Sequence, residues 1–339
     1  MDLFHITDPS FTDQRWQAYY ALMETLHEKY DSSMAKVGWV QTKERFLSLM
    51  DSDPDYYRFV LFDQQTAVGW ADLNVMSPNT PDQCVSVRVD SVYEDASGEF
   101  ERIVAAEFLR LLHECKSHSA HIMATTRRIS NIARRWSGTE LNRLDRFRLI
   151  RKKANTSLMK SWLDDIPRQN PALRLEFYPE IPDQHLITHT NLFIRYMHEM
   201  PTERESDKQF KMTIDEVRQD REWRRQNNAY VYVYALFDTD GEMIGHSNAF
   251  VTGADSSDVY QAMTGLNSEY RGRGLSRWLK AALFFKVGED FPDNKTMTTD
   301  MRAANAPIQK VNAEMGYKLL SSGHEFELSV EGLGKFISR

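Results

Sequence analysis

The chain has 339 residues, of which 41% are hydrophobic and 12% aromatic, enough to form the cores of about two domains. Because no run approaches about 18 apolar residues, and because Met1-Asp-Leu-Phe-His-Ile lacks a charged region followed by an apolar one, we expect neither a membrane span nor a secretory signal. Two cysteines are too few for a disulfide framework or a metal site, and a net charge of −7 argues against general nucleic-acid affinity, so we expect a cytoplasmic protein without a metal.

The first pattern along the chain is a strand, a polar turn and a second strand within Tyr57–Trp70. The same pattern recurs within Tyr232–His246, and in both segments the second strand begins near a glycine, Gly69 or Gly245. Repetition at a distance of about 175 residues indicates two copies of one domain, because the repeats of solenoids are much shorter.

The position of the two copies sets the expected domain boundaries. We expect an N-terminal domain at 1–165 and a C-terminal domain at 170–339. Pro167, Asn170 and Pro171 fall between the copies, and such residues are typical of a linker.

The segment from Arg127 to Lys153 is strongly basic, with ten lysines and arginines and only two acids, Glu140 and Asp145. Such a patch can bind nucleic acid or an acidic partner. It can also be a basic helix followed by a strand, Arg146–Ile150, whose alternate residues face solvent or the other domain. We favour this second interpretation, because the rest of the chain is acidic enough to balance these charges.

The most informative segment is a strand that passes through a glycine turn into a helix. Val259–Leu266 is short and β-compatible, and the glycine turn is Arg271–Ser276. A glycine-rich loop that opens a helix leaves several N–H groups unpaired, and these groups together with the helix dipole can bind phosphate. Arg271 and Arg273 add positive charge. The helix that follows presents one apolar face, formed by Leu275, Trp278, Leu279, Ala282 and Leu283.

The spacing of the loop narrows the choice of phosphate ligand. The chain contains no Gly-x4-Gly-Lys-Ser/Thr string, and a dinucleotide fingerprint would need a glycine where Arg277 stands. The loop resembles the acyl-CoA loop of the GNAT superfamily of N-acyltransferases, written Q/R-x-x-G-x-G/A. Ser276 replaces the last small residue of that pattern, and it is itself small.

A second segment, Thr298–Tyr317, resembles the strand and helix that follow the loop in the same superfamily. Pro307 suits a first helical turn and Gly316 suits a helix C-cap. The resemblance covers 170–339, and the repeat extends it to a tandem GNAT protein broadly similar to mycothiol synthase and related two-unit acyltransferases. It implies an α/β fold with two tandem domains, each a mainly antiparallel mixed sheet flanked by helices.

The resemblance also implies an activity, the direct transfer of an acetyl group from acetyl-CoA to a primary amine of a small molecule or peptide in the C-terminal domain. The backbone N–H near Leu266 would bind the thioester oxygen, and Asn305 would lie near the pantetheine arm. The expected acetyl-CoA-binding residues are Leu266, Arg271, Gly272, Arg273, Gly274, Leu275, Ser276 and Asn305.

Proton handling has several candidate residues. Many GNAT enzymes place a glutamate early on the strand before the loop, and counting from the loop puts Tyr260 there. Asp258 shares that face of the strand and could act through a water, and His246 is a further candidate base. Asn312 occupies the place of the family's usual acid, a tyrosine; it can hydrogen-bond the leaving thiolate but cannot protonate it. His246 and Tyr260 can also be ordinary polar residues of strands, and Asp258 can be a solvated acid of a turn.

The N-terminal copy has a changed version of the loop. Counting from the repeat glycines places Asp95–Phe100 opposite Arg271–Ser276, with Gly98 as the surviving central glycine. The carboxylates of this segment would repel a pyrophosphate, and Phe100 would block close approach of the backbone. We therefore expect that this copy does not bind CoA tightly and instead shapes the acceptor site.

The acceptor end of the chain is less specific. Residues 192–226 look like two helices around the loop Met200–Asp207, and in the resembling fold such helices wall the acceptor pocket. Glu203, Glu205 and Asp207 could hold a cationic amine or could be an exposed acidic loop.

Two other classes of function stay open at this point. One is a non-catalytic acyl-CoA sensor or partner-binding module, which fits the absence of a tyrosine acid. The other is a ligase that uses aminoacyl-tRNA, to which the basic segment from Arg127 to Lys153 could lend charge. We expect a nucleic-acid partner least, because the intact loop favours an acyl-CoA donor, and the lack of a long apolar run argues against a membrane partner.

Overall fold

Two units of the same architecture make up the part of the chain that the structure describes. This computed structural model describes residues 1–30, 39–53, 55–76, 83–92, 98–201, 210–226, 228–252 and 258–339. Unit 1 consists of Met1–Leu141 and Gly323–Arg339, and unit 2 consists of Asn142–Ser322. No helix within the described ranges combines the length and the apolar character that a membrane span requires.

Unit 1 is an antiparallel sheet with one parallel pair and helices against it. Its elements are the strands β1 (Asp2–His5), β2 (Tyr56–Asp63), β3 (Thr66–Met76), β4 (Cys84–Ser91) and β5 (Ser119–Ala124), joined by the end of β12 (Lys318–Ser329), and the helices α1 (Asp13–Tyr30), α2 (Trp39–Ser52), α3 (Glu99–Glu114), α4 (Arg127–Arg135) and α10 (Val330–Ile337). The strand order is β1-β2-β3-β4-β5-β12, and only β4 and β5 are parallel.

Unit 2 repeats this arrangement. Its elements are the strands β6 (Thr139–Ile150), β7 (Arg174–Tyr178), β8 (Ala229–Phe237), β9 (Met243–Thr252), β10 (Asp258–Leu266) and β11 (Thr296–Arg302), and the helices α5 (Thr156–Gln169), α6 (Asp183–Glu199), α7 (Ile214–Gln226), α8 (Leu275–Asp290) and α9 (Ala306–Met315). The strand order is β7-β8-β9-β10-β11-β6, with β10 and β11 as the parallel pair. The predicted fold class, an α/β fold with mainly antiparallel mixed pairing flanked by helices in each of two tandem units, is confirmed.

Each unit is completed by a strand from the other half of the sequence. β6 pairs with β11 over Leu144–Ile150, and β12 pairs with β5 over His324–Ser329. The helix that follows each strand goes with it, so that α5 packs on α8 and α10 packs on α3. The compact units therefore have different bounds from the predicted domains 1–165 and 170–339. Those bounds describe the sequence repeat and stay a prediction.

The predicted linker is wrong at Pro167, which lies inside α5. A proline in the last turn of a helix removes one hydrogen bond, but the helix also buries an apolar face made of Met159, Trp162 and Ile166. Burial of these three side chains is worth about 1.5–3 kcal/mol each, which outweighs that loss. The connection to β7 is therefore limited to residues 170–173.

The repeat is visible in the details of the two sheets. The pairing of β2 with β3 shifts register between Leu61 and Phe62, and the pairing of β8 with β9 shifts at the equivalent place. Both repeat glycines are sterically required. A Cβ on Gly69 would lie 2.3 Å from Cε2 of Phe100, and a Cβ on Gly245 would lie 2.5 Å from Cδ2 of Leu266.

Helices cover both faces of the sheet in unit 2. The predicted apolar face of α8 is buried against one sheet face, where Val259 and Met297 also lie. The opposite face carries α6, whose Leu186, Leu192 and Tyr196 pack with buried residues of β8. This packing holds α8 on the sheet, so that residues 267–274 alone connect the end of β10 to the start of α8.

The basic segment forms α4 and β6, and four of its ten basic residues pair with a carboxylate of their own unit. Carboxylates neutralise its arginines in the pairs Arg134–Glu140, Arg135–Glu101, Arg143–Asp145 and Arg146–Asp300. These pairs support the interpretation of the segment as a basic helix and strand.

We expect Gly69→Ala to destabilise the protein by about 1–3 kcal/mol, because the added methyl group overlaps Phe100 and also lies 2.8 Å from Cβ of Ser91. Gly334→Ala is the matched control, since it adds a methyl group to α10 where no atom lies within 4 Å. Alanine favours a helix over glycine by up to about 1 kcal/mol, so the control should be neutral or stabilising. Urea unfolding measures both, and equal midpoints for the two variants would contradict the close contact at Gly69.

Candidate functional site

The candidate site is built around the turn between β10 and α8. The turn contains two glycines in the left-handed region, with φ of +78° at Gly272 and +77° at Gly274. Gly274 is the N-cap of α8, and because glycine has no side chain, the first N–H groups of the helix are left without a side-chain cap. Residues with a Cβ are strained in this conformation, so the two glycines let the backbone turn sharply into the helix.

The turn presents a row of backbone donors. Among the described residues, no acceptor takes the N–H groups of Gly272–Ser276, and the first N–H to donate is that of Arg277, to the carbonyl of Gly274 at 2.9 Å. These groups lie at the positive end of the α8 dipole, where a bound anion is stabilised. The arrangement can hold a phosphate or pyrophosphate group.

The two arginines of the loop have different surroundings. Nε of Arg271 donates to the carbonyl of Leu266 at 3.0 Å, and its guanidinium also pairs with Glu199. Arg273 is exposed, donates to the carbonyl of Glu269 at 3.2 Å and has no carboxylate partner among the described residues. Arg271 therefore holds the loop against the end of β10, and Arg273 is the cation that an anionic ligand can meet.

An opening between two parallel strands lies next to this loop. β10 pairs with β11 only over Asp258–Tyr260, and the later part of β10 continues without that partner. The N–H of Asn267 donates toward β9, to the carbonyl of Ile244 at 2.9 Å. Because successive N–H groups of a strand point to opposite edges, the N–H of Leu266 points away from β9, toward the opening.

His246 lies on β9 opposite Gly265, one residue from that N–H. Its side chain is 0% exposed, and Nδ1 lies 2.8 Å from Oδ1 of Asn248. An amide oxygen only accepts, so Nδ1 carries the proton and Nε2 is a bare acceptor. No group within the described part of the chain hydrogen-bonds this Nε2.

A second imidazole, His189 on α6, packs against His246 with their ring centroids 4.4 Å apart. Burial lowers the pKa of His189 to about 4, and burial together with His189 lowers the pKa of His246 well below its ordinary value. Both rings are therefore neutral at pH 7. Sequence reasoning missed His189. The only available signal was its seven-residue spacing from Tyr196, whose ring also packs on His246.

The other candidate bases lie at the start of β10. Tyr260 stacks on Phe250 with ring centroids 6.2 Å apart, and burial raises the pKa of its phenol. It therefore keeps its proton at neutral pH and can donate a hydrogen bond but cannot act as a base. Asp258 begins the strand, and its side chain lies outside the described part of the structure, as do Glu203, Glu205 and Asp207 of the acidic loop.

The two asparagines lie on α9 and at its start. Asn305 is the N-cap residue, and its side chain makes no capping hydrogen bond. Asn312 is 1% exposed, with Nδ2 3.9 Å from Sδ of Met301, while its Oδ1 has no hydrogen-bond partner within the described residues. Asn305 therefore leaves the start of α9 without a side-chain cap, and the Oδ1 of Asn312 is a buried acceptor without a partner among the described residues.

The equivalent region of the N-terminal copy is closed by its own residues. Gly98 is again the N-cap of its helix, with φ of +69°, but Glu99 and Glu101 occupy the first turn. Phe100 is buried against the backbone of Gly69, and the N–H of Ser91, the counterpart of Leu266, donates to Oδ1 of Asp90 at 2.8 Å. Asp95, part of the predicted anionic segment, lies outside the described residues.

Comparison with known proteins places the fold. None of the protein-family models matches the chain, and no curated protein sequence is significantly similar to it. Among solved structures, a tandem GNAT protein from the clavulanic acid biosynthesis pathway is 16% identical, with a TM-score of 0.67 over 97% of this chain and 99% of that one. A GCN5-related N-acetyltransferase from Sphaerobacter thermophilus is 11% identical, with a TM-score of 0.61 over 92% of each chain.

A third similar structure is the glucosamine N-acetyltransferase region of a fungal multi-domain GH3 beta-N-acetylglucosaminidase. It is 10% identical, with a TM-score of 0.66 over 96% of this chain and 38% of that one. At such identities the likeness concerns the fold. The chain has the fold of tandem GNAT proteins, and the predicted resemblance is confirmed at this level.

We expect His189→Asn to flatten the pH dependence of stability between about pH 6.5 and 4. The unfolded imidazole binds a proton near its ordinary pKa of 6.5, whereas the buried one does so only near 4. The unfolded state therefore holds more protons in this window, and the free energy of unfolding of the wild type falls as the pH drops.

Urea unfolding at pH 7, 6 and 5 measures this slope for the wild type and the variant. The quantity to compare is the change in the free energy of unfolding with pH. The absolute stability is not informative, because the substitution also changes packing at every pH. Equal slopes would show that His189 is not buried in a neutral form.

Proposed function

We propose that the protein transfers an acetyl group from acetyl-CoA to a primary amine of a small molecule or peptide, and that the C-terminal copy performs the reaction. One observation carries this proposal: the free N–H groups of Gly272–Ser276 lie beside the strand opening toward which the Leu266 N–H points. The first set suits a pyrophosphate and the second suits a thioester carbonyl. The solved structures described as N-acetyltransferases support the same reaction class.

The proposed reaction is direct. The amine nitrogen attacks the thioester carbon, the carbonyl oxygen becomes an oxyanion, and the C–S bond breaks as the amide forms. The Leu266 N–H would stabilise the oxyanion, and a donor of this kind is worth about 10²–10³ in rate. Holding amine and thioester together supplies much of the remaining acceleration. Asn305 would bind an amide of the pantetheine arm, and Asn312 would hydrogen-bond the sulfur.

An alkyl amine with a pKa near ~10 must lose a proton before it attacks. His246 is the candidate base that we favour, because it pairs with Gly265, the neighbour of Leu266, and its Nε2 has no hydrogen-bond partner among the described residues. The leaving thiol has an ordinary pKa near ~8.5, so it can leave as the thiolate without a tyrosine to protonate it.

A second candidate function is an acyl-CoA-binding module without turnover. The complete burial of His246 and the retained proton of Tyr260 favour it, since neither side chain is an exposed base. This module and the enzyme share the same donor site and differ only in the release of thiol.

We expect Gly274→Glu to abolish acetyl-CoA binding, a loss of at least about 100-fold, or ~3 kcal/mol. The added carboxylate would face the phosphates, and there is room for it, since the nearest atom to a Cβ is Cδ1 of Ile166 at 3.8 Å. Gly241→Glu is the matched control: Gly241 also has a positive φ, +82°, with no atom within 4 Å of a Cβ.

Both variants carry the same backbone strain, about 1–2 kcal/mol, and the same added charge. Calorimetric titration with acetyl-CoA should therefore separate them, and equal affinities would reject the loop as the donor site. Assays of thiol release from acetyl-CoA with a panel of primary amines then distinguish transferase from binding module.

A further inference from the structure

Lys280 is a buried lysine in the second turn of α8. Lys280 is 1% exposed, and its Nζ donates a hydrogen bond to Oε1 of Gln261 at 2.6 Å. Within the described ranges, no carboxylate lies close enough to form an ion pair with it. Burial lowers the pKa of Lys280 to about 7, which lets the core hold an uncharged amine. A buried lysine without a counter-ion is costly and needs a compensating role.

Lys280 belongs to a connected set of buried polar groups. The hydroxyl of Tyr317 donates to the same Oε1 of Gln261 at 2.8 Å, so two donors fix the orientation of this amide. Its Nε2 then faces Oγ of Ser247 at 3.5 Å, and Ser247 shares a 2.7 Å hydrogen bond with Oγ1 of Thr264. We call Lys280, Gln261, Tyr317, Ser247 and Thr264 the bulge clamp.

The bulge clamp spans an irregularity in β10. Gln261 pairs with Ala249 and Thr264 pairs with Ser247, so β10 has one residue more than β9 between these two pairs. An extra residue of this kind bends its strand and re-aims the backbone that follows. The bulge begins where β10 ceases to pair with β11 and ends two residues before Leu266.

The N-terminal copy provides an internal comparison. Counting from the paired repeat glycines and from the N-cap glycines, the counterparts of Gln261, Ser247, Thr264 and Lys280 are Val87, Ala71, Val89 and Val104. All four counterparts are buried in an apolar core, and β4 passes them without a register shift. The bulge and these polar groups therefore occur together, and they occur in the copy with the open phosphate loop.

We propose that Lys280 is a positioning residue for acyl transfer: through Gln261 it holds the β10 bulge that aims the Leu266 N–H at the thioester oxygen. The inference rests on the proposed function of the C-terminal copy. Lys280 touches neither substrate nor reacting atoms. Loss of the Lys280 amine should leave the Leu266 N–H less well directed at the thioester oxygen. The phosphate loop, Gly272–Ser276, begins six residues beyond Leu266 and should still bind acetyl-CoA.

The polarisation of the bound thioester tests this inference without any acceptor amine. Acetyl-CoA labelled with ¹³C at the acetyl carbonyl is titrated into the full chain, and the carbonyl resonance of the bound form is compared with that of free acetyl-CoA. In the wild type, a hydrogen bond to the carbonyl should displace the resonance. In Lys280→Met, acetyl-CoA should bind within about tenfold of the wild-type affinity, but the resonance should move back toward its free position.

Lys286→Met is the matched control, because Lys286 lies on the same helix and pairs with Asp290 away from the bulge. It should keep both the affinity and the displaced resonance. Tyr317→Phe removes the other donor to Oε1 of Gln261 and should reproduce the Lys280→Met effect, so a folding defect in one variant does not decide the test.

The outcomes separate the two proposals. A displaced resonance that is unchanged in folded Lys280→Met and Tyr317→Phe would overturn the positioning role while leaving the acetyl-CoA site intact. No binding of acetyl-CoA by the wild type would overturn the proposed function and this inference with it.

Discussion

The parting of two parallel strands is the constraint on which the site depends. β10 pairs with β11 over only three residues, and the bulge that follows bends it away. The N–H of Leu266 then points into the opening, and the five N–H groups of Gly272–Ser276 at the start of α8 have no acceptor in the part of the chain that the structure describes. Backbone donors in folded proteins are almost always satisfied. Five such donors together suit a ligand with several acceptor oxygens, which is why we propose the acyl donor site here.

The two copies show what the same fold does with and without such an opening. In the N-terminal copy, Asp90 takes the N–H that corresponds to Leu266, and Phe100 fills the space against Gly69. The positions that surround the bulge in the C-terminal copy are valines and an alanine in the N-terminal one. One copy thus satisfies its polar groups internally and gains an apolar core, while the other keeps a costly buried lysine and an open donor set.

The sequence predicted the parts of the site that are governed by local rules. Glycines at positive φ, the apolar face of α8 and the repeat around Gly69 and Gly245 each leave a short-range pattern. The exchange of β6 and β12 between units does not, because strand pairing is decided by contacts across the chain. The same holds for His189 and Lys280, whose roles depend on partners on other elements. Pro167 misled the linker prediction, since tertiary packing outweighed its local preference.

The central claim is that one of two similar copies holds the acyl donor. The most direct measurement is the stoichiometry of acetyl-CoA binding to the full chain by titration calorimetry. One molecule per chain is the predicted result, since the N-terminal copy has a helix start lined by Glu99 and Glu101 and a donor N–H already taken by Asp90. Two molecules per chain would contradict the closed N-terminal copy, and none at sub-millimolar concentration would contradict the phosphate loop itself.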